Sequence, residues 1–267
     1  MSRLVPPDPW TALRRHTPAR IALGRTGASL PTHEVLAFAL AHAQARDAVH
    51  TPFDSAAVTE AIADLGLSTL PVESAAADRA TYLRRPDLGR QLSQASRSRL
   101  ERAAGKPADL AIIVADGLSS TAVHAHAAPL IAALLPLIRA ESWSLAPVVV
   151  AHQARVALGD AVGEILGARL ILLLIGERPG LSSPDSLGAY LTFAPRVGLT
   201  DAARNCVSNI RSQGLSYDQA AFKLAWLARE ALRLGESGVA LKDESDTALL
   251  GAAHPALSSR SEPRPPG

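Results

Sequence analysis

Apolar positions in the first part of the chain recur at helical spacing. The segment from Pro31 to His50 places apolar residues on one helix face, because residues three and four apart lie side by side, at Val35, Phe38, Ala39 and Ala43. Two further helices are predicted, from Asp54 to Leu65 and from Asp87 to Ala104. We therefore expect residues 1–104 to form a smaller, mainly helical N-terminal domain.

From Ala108 onward, short apolar runs alternate with helical patterns. The runs ADLAIIVADG (108–117), APVVVAHQ (146–153) and RLILLLIGERPG (169–180) are nearly pure aliphatic sequence, which is typical of strands buried on both faces. Helices are predicted between them, from Ser119 or Ser120 to Ala140 and over LGDAVGEILGA, where Gly167 closes the helix. This alternation predicts an α/β fold with a doubly wound, mostly parallel sheet over residues 105–242.

Two more elements complete the prediction. A strand is expected from Leu187 to Ala194, and a helix is expected after Ser216, which has capping-box spacing to Gln219. The core face of that helix is a seam at spacings of four and three: Ala220, Leu224, Leu227, Ala231 and Leu234. Beyond Lys242 there is no core face, so residues 243–267 are expected to be a disordered tail.

Composition and charge exclude several classes of protein. The 267 residues carry 27 basic and 25 acidic side chains, and no block of like charges occurs, so we expect no nucleic-acid binding despite a pI of about 9.0. The single Cys206 excludes a disulfide scaffold and favours a reducing compartment. The start lacks the apolar stretch of a signal peptide, and the apolar segment Ala127 to Ile138 is shorter than a bilayer span. We therefore expect a soluble protein that binds no membrane.

The candidate chemistry lies at predicted strand ends. Ligands of open α/β sheets bind beyond the carboxyl ends of the strands, which selects the segments 116–119, 152–156 and 176–180. Glu177 stands at the mouth of its strand in a turn restrained by Pro179, although a solvated loop remains the alternative there. Asp116-Gly117-Leu118-Ser119 offers free helix amides to an anion or amide oxygen, or is simply a capped helix start.

Standard catalytic motifs are absent from the sequence. It contains no GxSxG, GxGxxG, Walker loop or HExxH. His124 and His126 point to different sides of a helix, and a lone Cys206 is more often a packing residue than a nucleophile. The sequence therefore favours a binding domain without a metal site over a complete enzyme.

Several segments together resemble the light chain of ethanolamine ammonia-lyase. They are TPARIALGRTGASLPT (17–32), YLRRPDLGRQL (82–92), VADGLSSTAV (114–123), GDAVGEILGARLILLLIGERPGLSSPDSLGAYLTFAPR (159–196) and RNCVSNIRSQGLSY (204–217). The resemblance covers nearly everything from Thr17 to Leu234. It implies a subunit of an adenosylcobalamin-dependent lyase that converts ethanolamine to acetaldehyde and ammonia. In this family the heavy chain carries the substrate and the radical chemistry, while the light chain presents a Rossmann-like domain to the corrinoid, in a higher hetero-oligomer of both chains.

The resemblance assigns cobalamin contacts to Val156, Glu177 and Cys206, and no catalytic residue to this chain. A Glu177 carboxylate would accept N–H groups of the corrin amides. Val156 would supply an apolar or backbone contact, and Cys206 a small side chain or its amide beside the cofactor tail. No DxHxxG string is present, so cobalt is expected to keep its own dimethylbenzimidazole, in the base-on state.

The remaining expectations concern partners and location. YLRRPDLGR and the Arg25 segment are expected to have no place at the strand ends and to contact the helical part and the heavy chain; the roles of Arg25, Arg84, Arg85 and Asp116 stay open. The shared block begins already at Thr17, without the long extension of members packaged in bacterial microcompartments, so we expect cytoplasmic residence with packaging as the alternative. A corrinoid-binding or assembly module without catalytic duty is the competing function. A stand-alone nucleotide-binding enzyme is disfavoured by the missing glycine fingerprint.

Overall fold

A computed structural model describes residues 8–247 and contains one mixed sheet of six strands. The strands are β1 (Thr69–Glu73), β2 (Leu110–Ala115), β3 (Val148–His152), β4 (Leu170–Gly176), β5 (Leu187–Phe193) and β6 (Arg204–Ile210). Their order is β1-β3-β2-β4-β5-β6. The neighbours from β1 to β4 are parallel, whereas β5 is antiparallel to both β4 and β6. The strands β2 and β4 pair in register from Leu110 with Leu170 to Ala115 with Ile175.

Helices cover both faces of the sheet. They are α1 (Thr32–His50), α2 (Ser55–Ala63), α3 (Arg79–Arg84), α4 (Gln94–Ala103), α5 (Ser120–Ala140), α6 (Leu158–Leu166) and α7 (Tyr217–Leu234). One core lies between the sheet and α2, α5 and α7, and a second lies between the sheet and α4 and α6. Every residue of β2 and β4 is consequently buried, as their aliphatic sequences predict.

The predicted parallel arrangement does not extend to β5 and β6. Residues 177–186 join β4 to β5 without a helix, and a parallel connection needs a crossover of about a dozen or more residues, usually helical. The strands β1 and β6 were not predicted. Because β1 pairs with β3, the sheet reaches into the segment that was predicted to be mainly helical.

Helix ends follow local sequence signals. Gly167 closes α6 in the left-handed conformation, and both hydrogen bonds of the capping box between Ser216 and Gln219 are present in α7. The helix predicted from Asp87 is shorter than expected, because Ser93 caps α4, which begins at Gln94 after a 3₁₀ turn over Leu88–Arg90.

Helix α5 is the one segment among residues 8–247 that is long and apolar enough to cross a bilayer by length and composition. Half of its most apolar window is buried inside the protein. The buried side chains, from Ala122 to Ile138, form a large part of the core on one side of the sheet. The length and apolar composition of α5 are therefore explained equally well by its place in the core of the protein.

The segment predicted to be a disordered tail lies only partly within the described residues. Residues 243–247 are placed against α7, where Lys223 Nζ donates to Ser245 Oγ at 3.0 Å and to Asp246 Oδ1 at 2.6 Å. Ser245 is buried. The rest of that prediction, residues 248–267, lies outside the described residues.

Candidate functional site

The three strand-end segments singled out in the sequence meet at one edge of the sheet. The backbone N–H of Leu118 donates to the carbonyl of Gly176 at 2.9 Å, which joins the loops after β2 and β4. The Asp116 carboxylate accepts the N–H groups of Gln153 and Ala154, each at 3.0 Å, which joins the loops after β2 and β3. Because β2, β3 and β4 are parallel, the loops that follow them lie at the same edge of the sheet. The hydrogen bonds above then hold these three loops in a fixed arrangement.

Asp116 holds the loops after β2 and β3 together at this edge. Its side chain is 1% exposed and also accepts the N–H of Gly117, while the guanidinium of Arg79 lies 3.6 Å away. Burial raises the pKa of Asp116 above its ordinary value, against the opposing effect of the Ala154 and Gln153 N–H groups and of Arg79. All its partners belong to the protein, so Asp116 organises the loops and does not face solvent.

Two glycines give the site a floor of bare backbone. Gly117 has a φ of +57°, and a Cβ on it would meet the carbonyl oxygen of Gly176. A Cβ on Gly176 would in turn lie 2.7 Å from the carbonyl oxygen of Asp116. Side chains are therefore excluded where the two loops touch, because the space that a Cβ would need is filled by the backbone of the facing loop.

A cavity of about 380 Å³ opens above this floor. It is lined by Tyr82, Gly117, Leu118, Arg155, Val156, Ile175, Gly176, Glu177, Arg178 and Tyr190. We call it the first cavity. Two of the three residues expected to contact the cofactor, Val156 and Glu177, lie in its wall.

Glu177 is held with its carboxylate in a defined position. Oε2 accepts a short hydrogen bond from the Ser186 hydroxyl and a longer one, at 3.4 Å, from the N–H of Asn209. A Cβ on Gly188 would lie 2.9 Å from Oε1, so the absence of a side chain there makes room for the carboxylate. Of the two oxygens, Oε1 accepts no hydrogen bond from the residues that the structure describes.

Val156 also lines a second cavity, which adjoins the first. This second cavity measures about 390 Å³ and is lined by Pro86, Arg90, Arg155, Val156, Ala157, Leu199, Thr200 and Asp201. Arg155 and Val156 belong to both linings. We call the two adjoining cavities together the groove, which runs from Arg155 and Val156 at the carboxyl edge of the sheet to residues 199–201 before β6.

The segment YLRRPDLGR lies at this edge, so the expectation that it has no place there is wrong. Tyr82 is fully buried, its hydroxyl donates to the carbonyl of Ala154 at 3.0 Å, and burial raises its pKa. The guanidinium carbons of Arg79 and Arg155 lie 5.0 Å and 4.4 Å from the centre of its ring. The Tyr82 ring thus supports the loop after β3 from below.

Gly89 brings the end of the same segment against that loop. Its carbonyl accepts the backbone N–H of Arg155 at 2.8 Å. A Cβ on Gly89 would lie 2.9 Å from both the Tyr82 ring and the Arg155 side chain. The segment was misplaced because these contacts join residues about 70 positions apart, which one sequence does not reveal.

Cys206 lies beside the first cavity, outside its lining. It is exposed on β6, and its cross-strand neighbour Tyr190 lines the cavity. Burial raises the pKa of Tyr190, and Cys206 and Glu177 raise it further, which reflects how close the three groups lie.

A buried ion pair between Arg204 and Asp160, with N–O distances of 2.6 Å and 2.7 Å, ties β6 to α6.

The arginines with open roles lie outside both cavity linings. Arg85 forms a bidentate pair with Asp87 at 2.9 Å and 2.7 Å, and Arg84 donates to the carbonyl of Ala80 at 3.3 Å. Arg25 is exposed. Arg84 and Arg85 therefore belong to the surface around α3, in the very segment whose Tyr82 and Gly89 reach the groove.

The two histidines of the HxH pair have separate partners. His124 Nε2 accepts the N–H of Asp54 at 2.9 Å, whereas buried His126 contacts the Tyr217 hydroxyl at 2.8 Å and Asp185 at 3.4 Å. Within residues 8–247, no group of three or more His, Cys, Asp or Glu side chains is arranged to hold a metal ion.

The chain is similar over most of its length to proteins of one family. Residues 7–242 match the family model described as Ethanolamine ammonia-lyase light chain (EutC). The Ethanolamine ammonia-lyase small subunit of Azotobacter vinelandii is 61% identical over 251 residues, which cover 92% of either chain. The protein of the same name from Ralstonia nicotianae is 60% identical over 248 residues, again 92% of each. That from Bradyrhizobium diazoefficiens is 60% identical over 90% of this chain and 93% of its own.

Proposed function

Because the chain belongs to the family of ethanolamine ammonia-lyase light chains, we propose that it supplies part of the adenosylcobalamin site of such a lyase. In this proposal the larger subunit holds ethanolamine and the radical chemistry that yields acetaldehyde and ammonia. The observation that carries the proposal is the groove at the carboxyl edge of the sheet, with its backbone floor and the fixed carboxylate of Glu177 in its wall.

The residues of the first cavity fit a corrinoid. A corrin ring is broad and rigid and carries amide side chains at its edge, so its site needs a surface free of protruding side chains and acceptors for amide N–H groups. Gly117 and Gly176 give the floor without side chains, and Glu177 Oε1 gives an open acceptor. Bound adenosylcobalamin supplies a cobalt–carbon bond whose homolysis starts the radical reaction; this chemistry belongs to the cofactor.

Each residue of this chain then has a binding role. Glu177 accepts an amide N–H of the corrin edge through Oε1. Val156 provides apolar contact and backbone groups where the two cavities join, and Cys206 with Tyr190 forms the far rim. Four parallel strands with their loops at one edge support a Rossmann-like interpretation of this binding surface.

The base-on state of the cofactor is part of the proposal. His152, at the end of β3, is the histidine nearest in sequence to the groove loops, and its ring packs edge-on against Phe53 with 5.0 Å between ring centres. It lies outside both cavity linings. We expect the cobalt of the bound cofactor to keep its own benzimidazole as lower ligand.

Helix α1 supports docking to the larger subunit. Only three of its 19 residues are buried, namely Glu34, Ala41 and Ala48. The predicted helix is confirmed, but its large apolar side chains face outward: Val35 (48% exposed), Leu36 (64%), Phe38 (48%) and Leu40 (60%). Such an apolar surface marks an interaction site. We place the heavy chain of a higher hetero-oligomer on it, in the cytoplasm.

Reconstitution tests the proposed function. The heavy chain, expressed with and without this chain, is incubated with ethanolamine and adenosylcobalamin, and the release of ammonia and acetaldehyde is measured. We expect product only when both chains are present. Full activity of the heavy chain alone would contradict the proposal and assign this chain to corrinoid binding or assembly without catalytic duty.

A further inference from the structure

Basic side chains outnumber acidic ones in the walls of both cavities. The first cavity contains Arg155 and Arg178 beside the Glu177 carboxylate, and the second cavity contains Arg90 and Arg155. The one acidic residue of the second cavity, Asp201, lies 3.4 Å from Arg204 and points mostly to solvent, with 94% of its side chain exposed. The second cavity therefore has an excess of positive charge.

Arg155 is held rigidly and lacks an anionic partner. Its guanidinium stacks on Tyr82 at 4.4 Å, and its backbone N–H is bonded to Gly89. Among residues 8–247 no carboxylate forms an ion pair with Arg155, and its buried Nε has no hydrogen-bond partner. An unpaired charge next to the protein interior is costly, so the arrangement indicates an anion that is supplied by the ligand.

We propose that Arg155 binds the phosphodiester in the nucleotide tail of cobalamin, where the two cavities adjoin. This inference rests on the proposed function. The phosphodiester is the anionic group of that tail, and Arg155 lines both cavities, in whose walls basic side chains outnumber acidic ones. A planar guanidinium that is stacked and preorganised binds phosphate oxygens in a bidentate manner.

Three corrinoids that differ in the tail test this assignment. Cobinamide lacks the phosphate, cobinamide phosphate carries it without the nucleoside, and cobalamin carries the complete phosphodiester. Equilibrium dialysis of the complex of both chains, followed by corrinoid absorbance, gives each dissociation constant. For Arg155→Gln we expect weakening of about tenfold to a hundredfold for cobalamin and cobinamide phosphate, and a change of less than about twofold for cobinamide.

The controls distinguish the effect of the charge of Arg155 from that of its planar shape, from loss of an arginine elsewhere on the surface, and from misfolding. Arg155→Lys keeps the charge but not the planar fork, so it should recover part of the affinity for the two phosphate-bearing ligands. Arg102→Gln removes an exposed arginine of α4 outside both cavities and should leave all three constants unchanged. Circular dichroism and gel filtration verify that each variant folds and still associates with the heavy chain.

Two outcomes would overturn the inference. Equal weakening of all three corrinoids by Arg155→Gln would mean that Arg155 only shapes the groove, and no weakening of any would mean that it does not contact the ligand. Inorganic phosphate is the further probe: if it binds the complex through Arg155 while cobalamin affinity is unaffected by the variant, the site is one for free phosphate. Failure of the proposed function is distinct, because the wild-type complex would then bind none of the three corrinoids.

Discussion

At the scale of single residues, the groove contains side chains whose positions are set by their neighbours. Ser186 and Asn209 fix one oxygen of Glu177, and Gly188 leaves space for the other. A carboxylate that is already oriented loses little entropy when a ligand binds. Its contribution to corrinoid affinity should therefore come from charge and acceptor capacity, which a conservative substitution can remove without changing shape.

Glu177→Gln should weaken cobalamin binding without affecting subunit association. The amide keeps the size of the side chain but loses the negative charge, and a hydrogen bond to a charged group is stronger than one to a neutral group, so we expect about tenfold weaker binding. Dialysis of the complex measures the affinity, and gel filtration measures association. Glu141→Gln, at an ion pair with Arg229 on the surface, is the matched control. An equal loss of association would refute the role given to Glu177.

The residues of the groove were predictable only where strand ends place them. Val156 and Glu177 follow aliphatic strands that are parallel, so general rules for α/β sheets bring both to one edge. Tyr82 and Gly89 reach that edge from α3 and the turn after it, through contacts that no local pattern encodes. The role of Arg155 was also not predictable, because the sequence does not show that its guanidinium stacks on Tyr82 and has an unpaired Nε.

At the scale of elements, the strands that were missed lack an apolar run. β1 contains Pro71 and alternates between exposed and buried positions, and β6 reads RNCVSNI with three exposed residues. Both lie at the edges of the sheet, where only part of a strand is buried. Central strands and the capped helices α6 and α7 were predictable because burial and capping leave local signals, whereas edge strands leave weak ones.

The amino ends of the strands are joined by Asp109, at the edge opposite the groove. Its carboxylate accepts the N–H (3.0 Å) and hydroxyl (2.7 Å) of Ser144 before β3 and a guanidinium N–H of Arg169 (2.9 Å) before β4. These bonds lower the pKa of Asp109 below its ordinary value of 3.8, the Ser144 N–H having the largest effect. The ionised form therefore stabilises the folded state above pH 3.8, and this contribution disappears as the pH falls through the lowered pKa.

Asp109→Asn should destabilise the protein in a pH-dependent way. We expect the free energy of unfolding to drop by about 1–2 kcal/mol at pH 7, with the difference from wild type shrinking below pH 4. Urea unfolding of the wild type and of the variant at pH 7, 5 and 3 measures the difference in the free energy of unfolding. Asp47→Asn, at a side chain that is 71% exposed, should show no difference at any pH. A difference that stays constant down to pH 3 would contradict the ionic origin of the effect.

Helix α1 exposes apolar residues over more than half of its circumference, so its surface can be tested without disturbing the core. Leu36 and Leu40 are one turn apart and are 64% and 60% exposed. Replacing both with Ser should weaken association with the heavy chain by about a hundredfold or more, since each buried Leu contributes about 1.5–3 kcal/mol. The light chain itself should keep its circular dichroism spectrum. Analytical ultracentrifugation of the mixed chains measures the affinity.

Val239→Ser is the control for this prediction. Val239 is 86% exposed on a 3₁₀ turn beyond α7, so an unspecific effect of surface hydrophobicity would appear there as well. Unchanged association of the double variant of α1 would exclude this helix from the interface with the heavy chain.

At the scale of the whole molecule, the two parts expected from the sequence share one sheet. β1 pairs with β3 over five residues, and its fully buried Val72 belongs to the same core as Leu100 of α4 and the residues of α6. On the other face, Ile62 of α2 packs into the core with α5. Residues 55–104 therefore complete both cores of the sheet, which makes separate folding of the two parts unfavourable.

Removal of residues 1–104 should accordingly abolish cooperative folding of the remainder. A chain of residues 105–247 exposes the edge of β3 and loses the side chains of Ile62, Val72 and Leu100, each fully buried in the intact protein. Three losses of about 2–5 kcal/mol, one for each of these large core residues, add up to about the whole stability of a typical domain. Differential scanning calorimetry should show no cooperative transition for this fragment. Among the residues that the structure describes, a chain of residues 17–247 lacks only Asp8 and the 3₁₀ helix Pro9–His16, which has no buried residues, and it should retain a single transition. A cooperative transition of 105–247 at the midpoint of the intact chain would instead establish two independent domains. Even then the fragment should fail to bind cobalamin, because it lacks Tyr82, on whose ring Arg155 stacks in the groove.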